Sequence, residues 1–191
     1  MDFTHNTSLL SKVETSLDRK KFCLIGCDGF CGSGKTTFAK DLKNFFNSYN
    51  FQTAIIHLDN FIKEKKFRSN YASVYDYDLS RVKKELLIPL KNRQIASFKL
   101  YDWDSDSFKK SLSIKPYGII IIEGVNSCGK EIKEFFDICI FIRCKKELRQ
   151  KRVNLRGDFT KKEFEYWSSS EEEIFKTRDI EKYYDFIYNS L

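Results

Sequence analysis

The sequence predicts an α/β fold, a mainly parallel sheet with helices on both faces. Three observations carry that expectation. Continuous apolar runs at 22–27 and 119–122 read as strands buried on both sides, and amphipathic segments of helical period separate them. Between the first run and the helix after it stands Gly29-Phe30-Cys31-Gly32-Ser33-Gly34-Lys35-Thr36. Alternation of strand and helix is the pattern of a parallel sheet whose crossovers are helical.

Taken in order, a helix is expected over 5–17, a strand over 22–28, a helix over 35–49 and a strand over 52–58. The polar, aromatic-rich stretch 59–78 is long for a connector, which points to a functional loop or lid. In the helix expected over 79–92, Leu79, Val82, Leu86 and Leu90 share one face at three- and four-residue spacing, and Pro89 bends its end. A short strand follows at 95–101, then a strand at 118–123, a helix at 130–136, a strand at 137–142, helices at 145–156 and 161–180, and a short strand at 184–189. With two prolines and no Gly/Ser-rich tract there is no linker, so one domain over 1–191 is expected.

Composition narrows the class. The 191 residues are 41% hydrophobic, and no run approaches the eighteen or so apolar residues that span a bilayer. The N-terminus lacks a basic start and a long apolar core, so a cytoplasmic protein is expected. Six cysteines without paired C-x-x-C spacing read as reduced thiols, with Cys31 the one expected to be acidified by neighbouring N–H groups. The net charge of +7 suits either nucleic acid or small phosphorylated molecules. No separate basic domain and no [NT]-K-x-D guanine-reading segment is present, which argues against nucleic acid or a nucleotide switch. A homo-oligomer stays open.

The glycine-rich segment fits G-x-x-x-x-G-K-[ST]. Glycines at 29, 32 and 34 let backbone N–H groups turn toward phosphate oxygens, Lys35 reaches the β/γ-phosphates, and the Thr36 hydroxyl suits Mg²⁺. Ser33 and Thr37 complete the expected nucleotide contacts, and the next helix adds its N-terminal dipole. Asp59 closes the strand Ala54-Ile55-Ile56-His57-Leu58 and Glu123 closes four isoleucines, so both carboxylates emerge at the sheet edge where open α/β folds bind ligands. Asp59 is a candidate base, with a helix N-cap as the bland alternative. Glu123 is a candidate metal ligand, direct or through water. Two acid–aromatic clusters, Tyr75-Asp76-Tyr77-Asp78 and Tyr101-Asp102-Trp103-Asp104, combine flat rings with carboxylates. Between 143 and 156 seven basic residues face one acid, Glu147, with Arg149, Arg152 and Arg156 along one helical face.

These elements together, GFCGSGKTT, LDNF, YDYD before a leucine-rich helix, YDWD, IIIIEGV and RQKRVNLRGD, resemble the uridine kinase-like branch of P-loop kinases across nearly the whole chain. That branch includes phosphoribulokinase, bacterial pantothenate kinase and nicotinamide riboside kinase. The chain is most similar to short bacterial uridine kinase-like proteins, which share a Y-D-W element, a late tryptophan followed by acids (here Trp167 and Glu171 to Glu173), and a terminal strand.

The resemblance implies the three-layer P-loop NTPase fold, with a mainly parallel five-stranded sheet and a small helical lid at about 149–166. It implies ATP and Mg²⁺ as cofactors and a small-molecule hydroxyl acceptor as partner. Asp59 matches the catalytic acid–base, with Lys35, Arg152 and Arg156 as further catalytic residues and Arg149 on the nucleotide. Thr36 and Glu123 match the metal site, and Asp59, Phe61, Tyr101 and Asp102 the acceptor site. Ile62 stands where many uridine kinases have tyrosine, and no His or Arg follows Tyr101-Asp102 in the Y-D-x-x-x-H-x-R pattern. Kinase chemistry is therefore better marked than uridine as acceptor.

Overall fold

The computed structural model describes residues 7–68, 71–157 and 159–190. Five parallel strands form the sheet: β1 (Phe22–Asp28), β2 (Thr53–His57), β5 (Gly118–Glu123), β6 (Ile138–Arg143) and β7 (Phe186–Asn189), in the order β2-β5-β1-β6-β7. The remaining two, β3 (Ala96–Asp102) and β4 (Ser107–Ile114), make a separate antiparallel hairpin.

Strand alternation divides the core into two layers. Phe22, Leu24, Ile120, Ile122, Cys139 and Phe141 point to one face, where they meet Val82, Leu86, Leu87, Leu90, Trp167 and Phe175. Cys23, Ile25, Cys27, Ile119, Ile121, Ile138, Ile140 and Ile142 point to the other, against Leu9 and Val13 of α1 (Thr7–Lys20) and Phe38, Leu42 and Phe46 of α2 (Lys35–Ser48). Burial on both faces is why these strands read as unbroken apolar runs rather than alternating ones. Each of the four isoleucines of β5 has no exposed surface, and each contributes about 1.5–3 kcal/mol by leaving water.

Helix α3 combines Leu79–Arg81, a wide π-type segment Val82–Leu87 and Ile88–Lys91. Pro89 follows that wide segment directly, and a proline supplies no N–H to the preceding turn while its ring crowds the carbonyl there. The remaining helices are α4 (Lys146–Arg156), α5 (Lys161–Lys176) and the short α6 (Ile180–Tyr183).

Several expectations need correction. The segment expected as a helix over 130–136 contains only a single 3-10 turn, Lys133–Phe135. The long helix expected to 180 stops at Lys176. Strand β4 lies where no strand was expected, because its alternation carries lysines and serines on an exposed face instead of a strong apolar signal. Helix α1 is described from Thr7, so the expected start at 5 lies outside the described residues, as does 158 within the expected lid. All six cysteines are free thiols.

Candidate active site

The phosphate loop follows directly from β1. Gly29, Gly32 and Gly34 all have positive φ, at 145°, 75° and 93°. A Cβ on Gly29 would lie 2.6 Å from the Ile142 carbonyl oxygen and one on Gly32 2.6 Å from that of Arg149, so glycine is required twice over, by conformation and by space. Lys35 is largely buried and its Nζ donates to the Phe30 carbonyl at 2.9 Å. The Ser33 hydroxyl is buried without a hydrogen-bond partner. Thr36 and Thr37 open α2 on its exposed side.

Asp28, absent from the sequence expectations, anchors this loop. Its fully buried carboxylate accepts the N–H groups of Gly29 at 2.8 Å, Asn126 at 2.7 Å and Cys128 at 3.2 Å, with the Tyr184 hydroxyl at 2.7 Å and Arg178 Nη1 at 3.1 Å. Five donors satisfy the buried charge, and they tie the ends of β1 and β5 to the C-terminal segment. The only sequence signal was an acid next to the first glycine.

At the neighbouring strand end, Glu123 is also buried and Oε1 accepts from Thr36 Oγ1 at 3.1 Å. The register pairs Glu123 with His57 across β5 and β2, and His57 Nδ1 lies 2.5 Å from the same oxygen. Burial alone raises the Glu123 pKa, but the His57 hydrogen bond, the Lys35 charge and the Thr36 hydroxyl outweigh it and the net shift is downward. His57 moves the other way, raised by its hydrogen bond to Glu123 against the opposing effect of burial. Sequence reasoning passed over His57, although its position two residues before Asp59 was a usable signal.

Asp59 lies in the 3-10 turn Leu58–Phe61, whose N-cap is His57 and not Asp59. Its Oδ1 accepts the Tyr77 hydroxyl at 2.7 Å. Protein crowds the carboxylate and raises its pKa, the Tyr77 hydrogen bond opposes that rise, and the residue's surface still opens to solvent. Openness is the property that matters for meeting a substrate. The YDYD cluster thus divides its work: Tyr77 serves Asp59, Asp76 caps Ser73 at 2.7 Å, and Asp78 caps α3 at the Arg81 N–H, 2.9 Å away.

The residues expected on the acceptor side separate. Phe61 is fully buried, 5.0 Å from the Phe98 ring centroid and under the Arg81 guanidinium, so it supports the region from within the core. Tyr101 meets Arg68 and Asp106 through its hydroxyl, and burial pushes its pKa up to about 12. Asp106 also holds Arg68 at 3.2 Å and the Lys65 N–H at 2.8 Å, joining the 59–78 stretch to the hairpin. Asp102 instead takes the Ser105 N–H and hydroxyl at 2.9 and 2.8 Å and pairs with Lys109 at 3.2 Å, closing the hairpin turn. Those bonds, the Ser105 N–H foremost, lower its pKa to about 2. Nothing in the sequence singled out Arg68.

Three arginines of α4 gather at the phosphate loop. Arg149 is buried, stacked over Phe30 at 4.2 Å and 3.7 Å from Glu171 Oε2. Arg152 Nη1 donates to Ser190 Oγ at 2.9 Å and reaches the Gly32 and Ser33 carbonyls at 3.4 Å each. Arg156 lies 3.8 Å from the Cys31 sulfur. Lys145, Lys146 and Lys151 are exposed, as a solvated helix face requires. The expected acidification of Cys31 does not occur: burial raises its pKa more than Lys35 and Arg156 lower it.

A family profile described as "Phosphoribulokinase / Uridine kinase family" matches residues 24–185. The chain belongs to that family. A "Uridine kinase" of Clostridium botulinum (strain Kyoto / Type A2) is 30% identical over 145 residues, covering 72% of this chain and 69% of its own length. Among solved structures, a Bacillus stearothermophilus protein described as "a Possible Uridine Kinase" aligns with a TM-score of 0.69 at 20% identity, over 95% of this chain and all of that one. A D-glycerate 3-kinase from Cryptococcus neoformans var. grubii aligns at 0.58 and 14% identity, covering 87% of each chain. At such identities these two neighbours establish the shared P-loop kinase fold.

The residues present suit a magnesium nucleotide. The glycine cradle, the partnerless Ser33 hydroxyl and the lysine held at a loop carbonyl match a polyphosphate. Thr36 and Glu123 offer hard oxygen donors, and no cluster of three or more His, Cys, Asp or Glu forms a metal site among the described residues. Mg²⁺ commonly takes one or two protein oxygens and completes its shell with phosphate and water. No helix among the described residues is long and apolar enough to cross a membrane.

Proposed function

We propose that this chain is an ATP- and Mg²⁺-dependent kinase that transfers the γ-phosphoryl group to a hydroxyl of a nucleoside-like small molecule. The observation that carries the reading is the convergence of the phosphate loop, the Thr36–Glu123 pair and the solvent-open Asp59 at one edge of the sheet. Membership in the family and the uridine kinase relative support it. Lys35 neutralises phosphate charge, Thr36 and Glu123 hold Mg²⁺, and Mg²⁺ supplies charge stabilisation when bound. Asp59 takes the proton of the acceptor hydroxyl as its oxygen bonds to the γ-phosphorus and the bond to the departing ADP breaks. Arg149, Arg152 and Arg156 belong to a lid of about 149–166 within a single kinase domain.

A second reading keeps the chemistry and changes the acceptor to pantothenate, a sugar phosphate or nicotinamide riboside, the first two of them anionic. Arg68, which stacks on Tyr101 and pairs with Asp106, is the feature behind it, since it brings positive charge to the expected acceptor residues. Incubation with ATP, Mg²⁺ and a panel of nucleosides, vitamin precursors and sugar phosphates, with product mass as readout, separates the two. ATP consumption that no added small molecule stimulates would falsify both.

A further inference from the structure

Helix α5 reaches both sides of the site through buried polar groups. Glu171 has no exposed surface; its Oε1 accepts the Cys31 N–H at 2.6 Å and the Trp167 indole N–H at 2.8 Å. Its other oxygen faces Arg149 Nη1 at 3.7 Å. The Trp167 ring meets Tyr77 edge-on, centroids 6.1 Å apart and planes at 89°, and Tyr77 donates to Asp59 at 2.7 Å. A continuous line of contacts therefore runs from Asp59 through Tyr77, Trp167 and Glu171 to the backbone of the phosphate loop. Sequence separations of 18 and 140 residues between the hydrogen-bonded ends mean that only the folded chain assembles it.

We propose that Glu171 and Trp167 are positioning residues that hold the phosphate loop at a fixed offset from Asp59, with Glu171 clamping the loop at the Cys31 N–H and keeping Arg149 against Phe30. The proposal rests on the reading of this site as a nucleotide-dependent kinase centre. A fully buried carboxylate is costly to desolvate, and an apolar side chain at this helix position would serve packing alone at lower cost. What the carboxylate provides is an acceptor for a loop N–H and a charge opposite Arg149. The pairing with Arg149 is loose: Glu171 Oε2 and Arg149 Nε both lack hydrogen-bond partners. Arg149 is thus held at one edge by charge and across its face by the Phe30 ring, while one of its donors stays uncommitted. Phosphoryl transfer depends on such placement, since small displacements of the reacting groups lose large factors in rate.

The test is Mg·ADP binding, measured by calorimetry at a temperature where circular dichroism shows each variant folded, with Trp167 emission followed in a Trp103→Phe background. Wild type binds Mg·ADP, and its Trp167 emission changes little on binding because the Glu171 contacts persist. Glu171→Ala weakens binding about tenfold, as expected when a loop N–H loses its acceptor. Glu171→Gln, which keeps an oxygen acceptor without the charge, and Trp167→Phe each weaken it about threefold, and these two carry the test if the alanine variant does not fold. Unchanged affinity in the folded variants, with only a lower melting temperature, overturns the proposal in favour of a purely structural role. Tighter binding by Glu171→Ala, with wild-type emission moving on Mg·ADP to the value of that variant, also overturns it, by showing that the carboxylate occupies a phosphate position and leaves. Absence of nucleotide binding by wild type sinks the kinase reading itself, a result distinguishable from the other two.

Discussion

His57 Nδ1 and the hydroxyl of Thr36 converge on one oxygen of Glu123, at 2.5 and 3.1 Å. The end of β2 and the start of α2 are thereby joined through the carboxylate at the end of β5. A pH dependence follows, because His57 titrates above its usual 6.5 and Glu123 below its usual 4.5. The His57 contribution to stability is complete below its ordinary pKa and fades as pH rises through the raised one. The Glu123 contribution is present above its ordinary pKa and is lost as pH falls through the lowered one. With the His57 side chain 47% exposed, water screens the pair and its energy is small, so the decisive readout is the titration itself. Since the chain has two histidines, ring-proton NMR can follow His57, and Glu123→Gln should move its pKa down toward 6.5. No movement would mean that the contact does not form in solution.

Replacing Lys35 by alanine removes a point charge from a loop already anchored by Asp28. Productive ATP binding should be lost while the circular dichroism spectrum and melting temperature stay close to wild type. Retained ATP affinity and turnover in a folded Lys35→Ala protein would remove the basis of the nucleotide site.

For Asp59 the amide variant separates shape from basicity. Asp59→Asn should bind ATP nearly normally and lose about 10²–10⁴-fold in turnover with the acceptor found by screening. Tyr77→Phe tests the same carboxylate more gently. Because the Tyr77 hydroxyl lowers the Asp59 pKa against the rise due to burial, its removal should shift the acidic limb of the pH–rate profile to higher pH. A limb that stays in place assigns the base elsewhere.

On α4, Arg152→Ala and Arg156→Ala should lower turnover by more than they weaken ATP binding, as expected for contacts that strengthen in the transition state. Alanine at the exposed Lys145, Lys146 or Lys151 should change neither by more than about twofold, because a solvated lysine is screened. If all five variants instead weaken salt-sensitive binding to DNA or RNA equally and leave phosphoryl transfer intact, the basic run serves a polyanion.

Arg178 and Asp28 test the anchor of the loop. Both side chains are buried, at 3% and 0% exposure, and Arg178→Met leaves the Asp28 charge without its counter-ion. Urea denaturation should show a loss of about 3–5 kcal/mol, the range found when one partner of a buried ion pair is removed. A change within 0.5 kcal/mol, the size of an ordinary surface substitution, would show that the three N–H groups and the Tyr184 hydroxyl hold Asp28 without Arg178.

The sequence by itself determined the strands β1 and β5, the phosphate loop between β1 and α2, and the placement of Glu123 at the end of β5; Asp59, expected to close β2, lies two residues beyond it in a 3-10 turn. These are local properties: an apolar run fixes a buried strand, glycine spacing fixes where the backbone can turn left-handed, and the residue closing a strand emerges at its edge. Tertiary structure decided what those residues touch. Phe61 and Asp59 are two positions apart, yet one is sealed in the core against Phe98 while the other stays open to solvent, because a tight 3-10 turn sends them in different directions. Asp102 closes a hairpin whose second strand has too polar a pattern to be read from periodicity. Glu171 reaches Cys31, Arg178 reaches Asp28 and Arg68 reaches Tyr101 across separations of 140, 150 and 33 residues. Spacing along a chain says nothing about such encounters, since packing of helices on the sheet selects them only after the elements have formed.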